Sequence, residues 1–173
     1  SNIATISITV NAVNDAPVLA SIGSQSVDEG TLLTFIVAAT DVYFDILTFS
    51  LNGEPAGASI NPVTRTFTWT PTEEQDGSYT FDVVVTDGTL SDSETITVIV
   101  NPVNDAPVLS PDPIPDGSVD EGASYSLTAT ATDVDVPPQA LTFIGTGTPS
   151  WIAIDTSIAG QVTLSGTPGE SDQ

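Results

Sequence analysis

The chain has 173 residues and a formal net charge of -22, since 23 acidic side chains stand against one basic side chain. Clustered Lys and Arg are needed to neutralise phosphates, so nucleic acid is excluded as a partner, and no run of about 18 apolar residues is present to insert into a membrane. His, Cys and Lys are absent, which removes the usual nucleophiles and general bases and predicts that the chain is not an enzyme.

Apolar residues alternate with polar ones along most of the chain, which is the period of a half-buried β-strand. Asp87-Gly88 lies between two such stretches and predicts a turn. About seven strands fall in each module, so the sequence predicts an all-β fold of tandem Greek-key β-sandwiches. The predicted strands lie at Leu33 to Ala39, Thr48 to Leu51, the stretch near Ile60, Phe67 to Trp69, Tyr79 to Val85 and Ile96 to Val100, with repeats at Tyr125 to Ala131 and Val162 to Leu164.

A seven-residue segment, Val13 to Leu19, returns letter for letter as Val103 to Leu109, 90 residues later. Other motifs return at nearly the same offset, which indicates a tandem array. We therefore expect a complete module at residues 13–102 and a second module at 103–173 that lacks its last two strands. Residues 1–12 align with the end of the first module, and we expect them to be the last strand of a preceding repeat.

The acidic residues suggest a bound metal. No disulfide can form without Cys, and small secreted modules without disulfides commonly rely on a metal instead. Asp133-Val134-Asp135 would place two carboxylates on one side of an extended segment, because the strand period is two. Carboxylates, Asn side chains and backbone carbonyls are the ligands that Ca²⁺ takes in proteins. Asp28, Asp116 and Asp155 are instead interpreted as turn or surface residues.

Several short motifs follow one another along the chain. They are Val27-Asp28-Glu29-Gly30, the Ala-Thr-Asp triplets ending at Asp41 and Asp133, Glu73 to Gly77, Tyr79, Thr86-Asp87-Gly88 and the Val-Asn-Asp-Ala-Pro linkers. Their order resembles that of bacterial cadherin-like and immunoglobulin-like repeats of large surface proteins. Pro149 to Asp155, followed by Ser165 to Pro168, resembles the dystroglycan-type cadherin-like repeat. The resemblance implies Ca²⁺ bound between successive modules, with ligands from the base of one module, the linker and the top of the next.

Carried onto this chain, the resemblance implies two sets of calcium ligands. For the joint between the two modules, the first module would supply Glu29, Glu73 or Glu74, and Asp87, the linker Asn104 and Asp105, and the second module Asp133 and Asp135. For the joint upstream, the ligands would be Asn14, Asp15, Asp41 and Asp45. Tyr43 stands where the second module has Asp135, so either Asp45 replaces the missing carboxylate or the upstream joint binds its ion more weakly.

Three roles are open at this point. The leading hypothesis is a bacterial-type surface or secreted extracellular protein in which Ca²⁺ stiffens the joints between neighbouring repeats. A second is an adhesion module that binds glycan or a surface receptor through loops around Trp151 or Tyr43, whereas Trp69 is expected in the core. A third is a filament subunit that adds its Ser1 to Val10 strand to the sheet of an identical subunit.

Overall fold

The computed structural model of the chain describes residues 6–172. The chain divides into two compact units, Ser1–Pro102 and Val103–Gln173. Strands dominate both units, and the helical structure in the described range is one 3-10 turn at Glu73–Gln75. The predicted all-β fold class is therefore confirmed. Across residues 6–172, no helix is both long and apolar enough to cross a membrane.

The first unit is a β-sandwich. One sheet has the strand order β2-β9-β8-β5 and the other β3-β7-β6, while the short strands β1 and β4 pair with each other. The first and second strands of the sandwich are each divided in two, as β1 with β2 and β3 with β4, which leaves seven strands as the sequence predicts. The strands are β1 Val18–Leu19, β2 Gln25–Asp28, β3 Leu33–Ile36, β4 Ala39–Thr40, β5 Thr48–Asn52, β6 Ser59–Ile60, β7 Thr66–Trp69, β8 Gly77–Thr86 and β9 Ser91–Asn101.

The core of the first unit is built from the inward positions of these alternating strands. The ring of Phe67 stacks on Phe35 at a centroid distance of 4.7 Å and on Phe81 at 5.8 Å. Trp69 is 1% exposed, its ring meets Tyr79 edge-on, and its indole N–H donates to the carbonyl of Ala56 at 3.2 Å. The predicted core position of Trp69 is confirmed. Burying each such side chain stabilises the fold by roughly 1.5 to 3 kcal/mol.

The strand register defines two ends of the first unit. β8 and β9 form an antiparallel hairpin in which Thr86 pairs with Ser91 and Gly77 with Val100. Thr48 also pairs with Thr86, so the loop before β5 lies at the same end as the β8–β9 turn. We call this the upstream end. The opposite end, where Asn101 leaves the sheet, is the downstream end.

The second unit contains a single described sheet with the order β10-β11-β13-β12. Its strands are β10 Val108–Ser110, β11 Tyr125–Thr132, β12 Ile152–Asp155 and β13 Gln161–Gly166, and two of them confirm the strands predicted there. Residues 141–143 align with residues 47–49, where β5 begins, yet form no strand. In the first unit β5 takes its hydrogen bonds from β8, and the described residues of the second unit include no counterpart of β8.

The strand expected in residues 1–12 is not seen. Residues 1–5 lie outside the described range, and residues 6–12 have no strand assignment. Ile6, Ile8 and Val10, which would form the apolar face of that strand, are exposed. A lone strand has no neighbour to take its backbone hydrogen bonds, and the expected neighbours would belong to a different module.

Candidate metal centre

Three carboxylates meet at the upstream end of the first unit. Oxygens of Asp41, Asp45 and Asp87 all lie within 4.8 Å of one another. Asp41 directly follows β4, Asp45 lies in the loop before β5, and Asp87 lies in the β8–β9 turn. The fold therefore brings three separate segments of chain to one point, which we call the upstream cluster.

The two oxygens of Asp41 have different surroundings. Oδ1 accepts hydrogen bonds from the backbone N–H groups of Tyr43, at 2.8 Å, and Asp45, at 3.5 Å. Oδ2 is buried and has no hydrogen-bond partner among residues 6–172. A buried carboxylate oxygen without a donor is unfavourable, and a cation bound to it would remove that penalty. Hard oxygen donors of this type fit Ca²⁺.

Asp87 is held in place by N–H donors. Its Oδ1 accepts from the backbone N–H groups of Thr89, at 2.6 Å, and Leu90, at 2.7 Å, and its Oδ2 accepts from the side-chain amide of Asn14 at 2.8 Å. The Leu90 N–H bond, followed by the bonds from Asn14 and Thr89, lowers the pKa of Asp87. The carboxylate is therefore ionised at neutral pH, as a metal ligand must be.

The position of Asp87 corrects one sequence-based expectation. Asp87 was expected at the downstream end with Glu29 and Glu73, but it lies at the upstream end with Asp41 and Asp45. The direction of β8 decides this, because Gly77 begins the strand beside Val100 and Thr86 ends it beside Ser91. Asp45, the candidate replacement for the carboxylate missing at Tyr43, lies in the upstream cluster. Asp15 is exposed, and its neighbour Asn14 makes the contact with Asp87.

The downstream end of the first unit carries the expected glutamates. The N–H of Glu29 donates to the carbonyl of Asn101 at 3.1 Å, and the N–H of Gly30 donates to the carbonyl of Pro71 at 2.9 Å. These bonds place Glu29 and the turn that contains Glu73 beside the residue where the chain leaves the sheet. Glu29 is buried and Glu73 half-buried.

The sequence did not decide whether Glu73 or Glu74 is the candidate calcium ligand. Glu74 is exposed, and its Oε2 accepts a hydrogen bond from the hydroxyl of Thr72 at 3.0 Å. Glu73 is the less exposed of the two. Burial and the local hydrogen bond therefore favour Glu73 as the candidate ligand.

The linker and first loop of the second unit form a separate polar network. The N–H of Asp105 donates to Oδ1 of Asp135 at 2.9 Å, and the N–H of Asp135 donates to Oδ1 of Asp133 at 3.1 Å. Asp135 is 7% exposed. The Asp133 bond repeats the bond that Asp41 makes in the first unit, as expected from their equivalent positions in the repeat.

Gln139 belongs to this network and was missed by the sequence analysis. Its side-chain amide donates to Oδ1 of Asn104 at 2.7 Å and to Oδ2 of Asp135 at 2.6 Å. No motif marks Gln139, and its contact with Asn104 spans 35 residues. The Pro-Pro-Gln segment that follows Asp135 gave no pattern from which the contact could be predicted.

Comparison with known proteins identifies the first module. Residues 16–101 match the family described as He_PIG, "Putative Ig domain". This module belongs to that immunoglobulin-like family. The family and the seven-stranded sandwich together confirm the predicted immunoglobulin-like and cadherin-like repeat, and a module of this kind is a structural or binding part of a larger protein.

Two proteins are similar to the chain, one in sequence and one in fold. Chitinase A of Pseudoalteromonas piscicida is 38% identical over 123 residues, which are 69% of this chain and 15% of that protein. The chain thus spans a small part of the length of this curated relative. Human protocadherin-24 EC1-2, form II, has 22% identity and a TM-score of 0.53, with 91% of this chain and 83% of that chain covered. The second likeness concerns the fold alone.

Proposed function

We propose that this immunoglobulin-like chain is a non-catalytic spacer of an extracellular surface or secreted protein, and that calcium stabilises its modules. Two observations carry the proposal: Asp41 belongs to a cluster of three carboxylates, and its Oδ2 is buried and accepts no hydrogen bond from residues 6–172. Three carboxylates this close repel one another, and the net charge of -22 adds to that repulsion. A divalent cation supplies charge neutralisation and a cross-link between the segments that carry its ligands.

The residues of the upstream cluster would hold the ion in distinct ways. Asp41 offers an oxygen with no competing donor, whereas both oxygens of Asp87 already accept hydrogen bonds. Asn14 donates its amide N–H to Asp87, which leaves the Asn14 carbonyl oxygen as a further candidate ligand. The β4 loop and the β8–β9 turn would thus be joined through one ion.

A shared ion at the joint of the two modules stays a prediction. It rests on the resemblance to cadherin-like repeats and on the length of the linker. Four peptide steps separate Asn101 from Asp105 and span at most about 14 Å. Glu29 and Glu73 on one side, and Asp105 and Asp135 on the other, are the residues we expect to contribute. Stiffening of the joint is tested by comparing small-angle scattering profiles in calcium and in chelator, where an unchanged maximum dimension and profile would contradict it.

The upstream ion is tested by calorimetric titration of the 173-residue chain with CaCl₂. Extracellular calcium modules commonly have dissociation constants of about 10⁻⁴ to 10⁻³ M. At 10 mM Ca²⁺, a dissociation constant of about 1 mM would stabilise the folded state by about 1.4 kcal/mol, which is measurable as a rise in melting temperature. Absence of both binding heat and a melting shift in this range would refute the proposal.

Two variants locate the site. Asp41→Asn removes a charge from the upstream cluster and should weaken one binding event by at least about tenfold, because a carboxylate ligand becomes an amide. Asp82→Asn is the matched control, since Asp82 lies on β8 and bonds the side chains of Asn52 and Thr95. Equal loss of affinity in both variants would mean that calcium responds to net charge and has no defined site.

A second candidate is binding of chitin or a related glycan. The chitinase relative favours it, and the loop after Asp41 exposes Phe44 to 92% and Tyr43 to 48%. Exposed aromatic rings can stack on sugar rings. A sedimentation assay with insoluble chitin should show binding that Phe44→Ala abolishes, while Leu32→Ala, another exposed apolar residue, leaves it intact. Failure of the parent chain to sediment would exclude this candidate.

A further inference from the structure

The segment that leads into the first unit runs beside the β8–β9 hairpin. β2 pairs in parallel with β9, and Gln25 lies opposite Val98. Three side-chain contacts upstream of β2 have the same separation of 73 residues, and they join Asn14 to Asp87, Leu19 to Asp92 and Ser21 to Glu94. We call residues 14–24 the lead-in segment. The segment therefore follows the hairpin as a strand would, although it has no backbone ladder with β9.

Two carboxylates accept hydrogen bonds from backbone N–H groups of the lead-in segment. The N–H of Leu19 donates to Oδ2 of Asp92 at 2.8 Å. The N–H of Ile22 donates to Oε2 of Glu94 at 2.7 Å, and the N–H of Gly23 donates to Oε1 at 2.9 Å. Each carboxylate oxygen of Glu94 thus accepts a hydrogen bond from a different backbone amide. These are charge-assisted bonds and are stronger than bonds between neutral groups.

The reason for this arrangement is that the chain changes sheets here. Ala20 N–H still donates to the carbonyl of Ala38, on the β1–β4 side, at 2.8 Å. The ladder to β9 begins at Gln25. Between these points Gly23 adopts a φ of 71°, which a glycine reaches without strain. Amide groups at such a crossing need acceptors from outside the ladder.

The sequence of β9 supplies those acceptors at the appropriate positions. Ile96, Val98 and Val100 alternate as buried core residues, and Asp92 and Glu94 continue the same alternation upstream. Alternate residues of a strand point to the same side. The inward side of β9 therefore changes from apolar to acidic where it meets the lead-in segment.

We propose that Asp92 and Glu94 form a carboxylate strap that fastens the lead-in segment to the β8–β9 hairpin in place of a backbone ladder. The strap sets the path by which the chain approaches the unit and holds Asn14 in reach of Asp87. It does not depend on the calcium proposal, because every contact that defines it is a hydrogen bond within the first unit.

Site-resolved amide hydrogen exchange, measured by NMR on the 173-residue chain, tests the strap. In Glu94→Gln, one carboxylate oxygen becomes an NH₂ group that opposes a backbone N–H. We expect the amides of Ile22 and Gly23 to exchange at least about tenfold faster, while Leu19 is little changed. Asp92→Asn should give the converse pattern. Asp82→Asn, with the same charge change on the neighbouring strand, should leave all three amides unchanged.

Two results would overturn the strap. Unchanged exchange of Ile22 and Gly23 in Glu94→Gln would show that the carboxylate does not hold them. An equal increase in the exchange rate of core amides such as those of Phe67 and Val83 would also overturn it. That result would show that the substitution lowers global stability and does not selectively free the lead-in segment. If Glu94→Gln does not fold, Asp92→Asn and the single amide of Leu19 decide the question in the same way.

Discussion

The side-chain amide of Asn14 donates to the carboxylate of Asp87 at 2.8 Å, although 73 residues separate them. Asn14 belongs to the linker motif that repeats at Asn104, and Asp87 belongs to the upstream cluster. The contact joins the repeated Val-Asn-Asp-Ala-Pro linker motif to the β8–β9 turn. The linker residue Asn14 is consequently part of the folded first unit.

Asn14→Asp should make the stability of the first unit more dependent on calcium. A fourth carboxylate beside Asp87 adds repulsion and removes a hydrogen-bond donor, so the melting temperature in chelator should fall. Added Ca²⁺ should restore most of the loss, because the new carboxylate is also a ligand. Thermal unfolding followed by circular dichroism, with and without 10 mM CaCl₂, measures both effects. Asn11→Asp adds the same charge three residues upstream, and an equal calcium response in that variant would contradict the prediction.

Acid should weaken the first unit partly through Glu94. Hydrogen bonds from the backbone N–H groups of Gly23, first, and Ile22 lower the pKa of Glu94. Because the folded pKa is below the unfolded one, this contribution is fully present above the unfolded pKa and is lost as the pH falls through the folded pKa. The urea midpoint should therefore fall more steeply from pH 5 to pH 3 in the parent chain than in Glu94→Gln. An equal fall of the urea midpoint between pH 5 and pH 3 in the two proteins would show that Glu94 contributes nothing to the pH dependence.

Trp69→Ala should destabilise the first unit by about 3 to 5 kcal/mol, since it removes a fully buried ring and leaves a cavity against Tyr79. Trp151→Ala in the second unit should cost less, because Trp151 is only half-buried beside Tyr125. Urea unfolding followed by circular dichroism compares the two. Equal losses would mean that burial does not set the contribution of these tryptophans.

Gly166→Ala should disturb the second unit without affecting the first. A Cβ at Gly166 would collide with the backbone carbonyl of Trp151, which a side-chain rotation cannot relieve. We expect a shifted Trp151 emission in a Trp69→Phe background, together with a lower urea midpoint for the second unit. Gly147→Ala is the comparison, because the space around that Cβ is open and the cost there comes from its φ of 69°. An unchanged Trp151 spectrum in Gly166→Ala would contradict the expected collision.

The strands could be predicted because their signal is local. Phe67 and Trp69 alternate with threonines, and Ile96, Val98 and Val100 alternate in the same way, so each strand and its buried side follow from a period of two. The split of the first strand into β1 and β2 was not predictable in the same manner. The backbone N–H groups at the split donate to Asp92 and Glu94, which lie about 70 residues away along the chain.

The candidate site was predicted in part. The residue types were found from their motifs. The structure brings Asp41, Asp45 and Asp87 together, although Asp87 was assigned to the opposite end, and Gln139 was not considered. Motif order records which acidic residues are present, whereas strand direction decides which of them meet. Asp87 follows β8, and only the pairing of Thr86 with Ser91 fixes the end at which that strand finishes.

By itself, the sequence determined the all-β class, the internal repeat and the strongly acidic composition. These properties depend on composition and on short-range periodicity. The tertiary structure alone decided that β2 runs parallel to β9, that Asp41, Asp45 and Asp87 share one end, and that Glu94 serves backbone amides of the lead-in segment. The physical reason is that contacts between distant segments depend on strand direction and register, which are settled by packing across the whole unit.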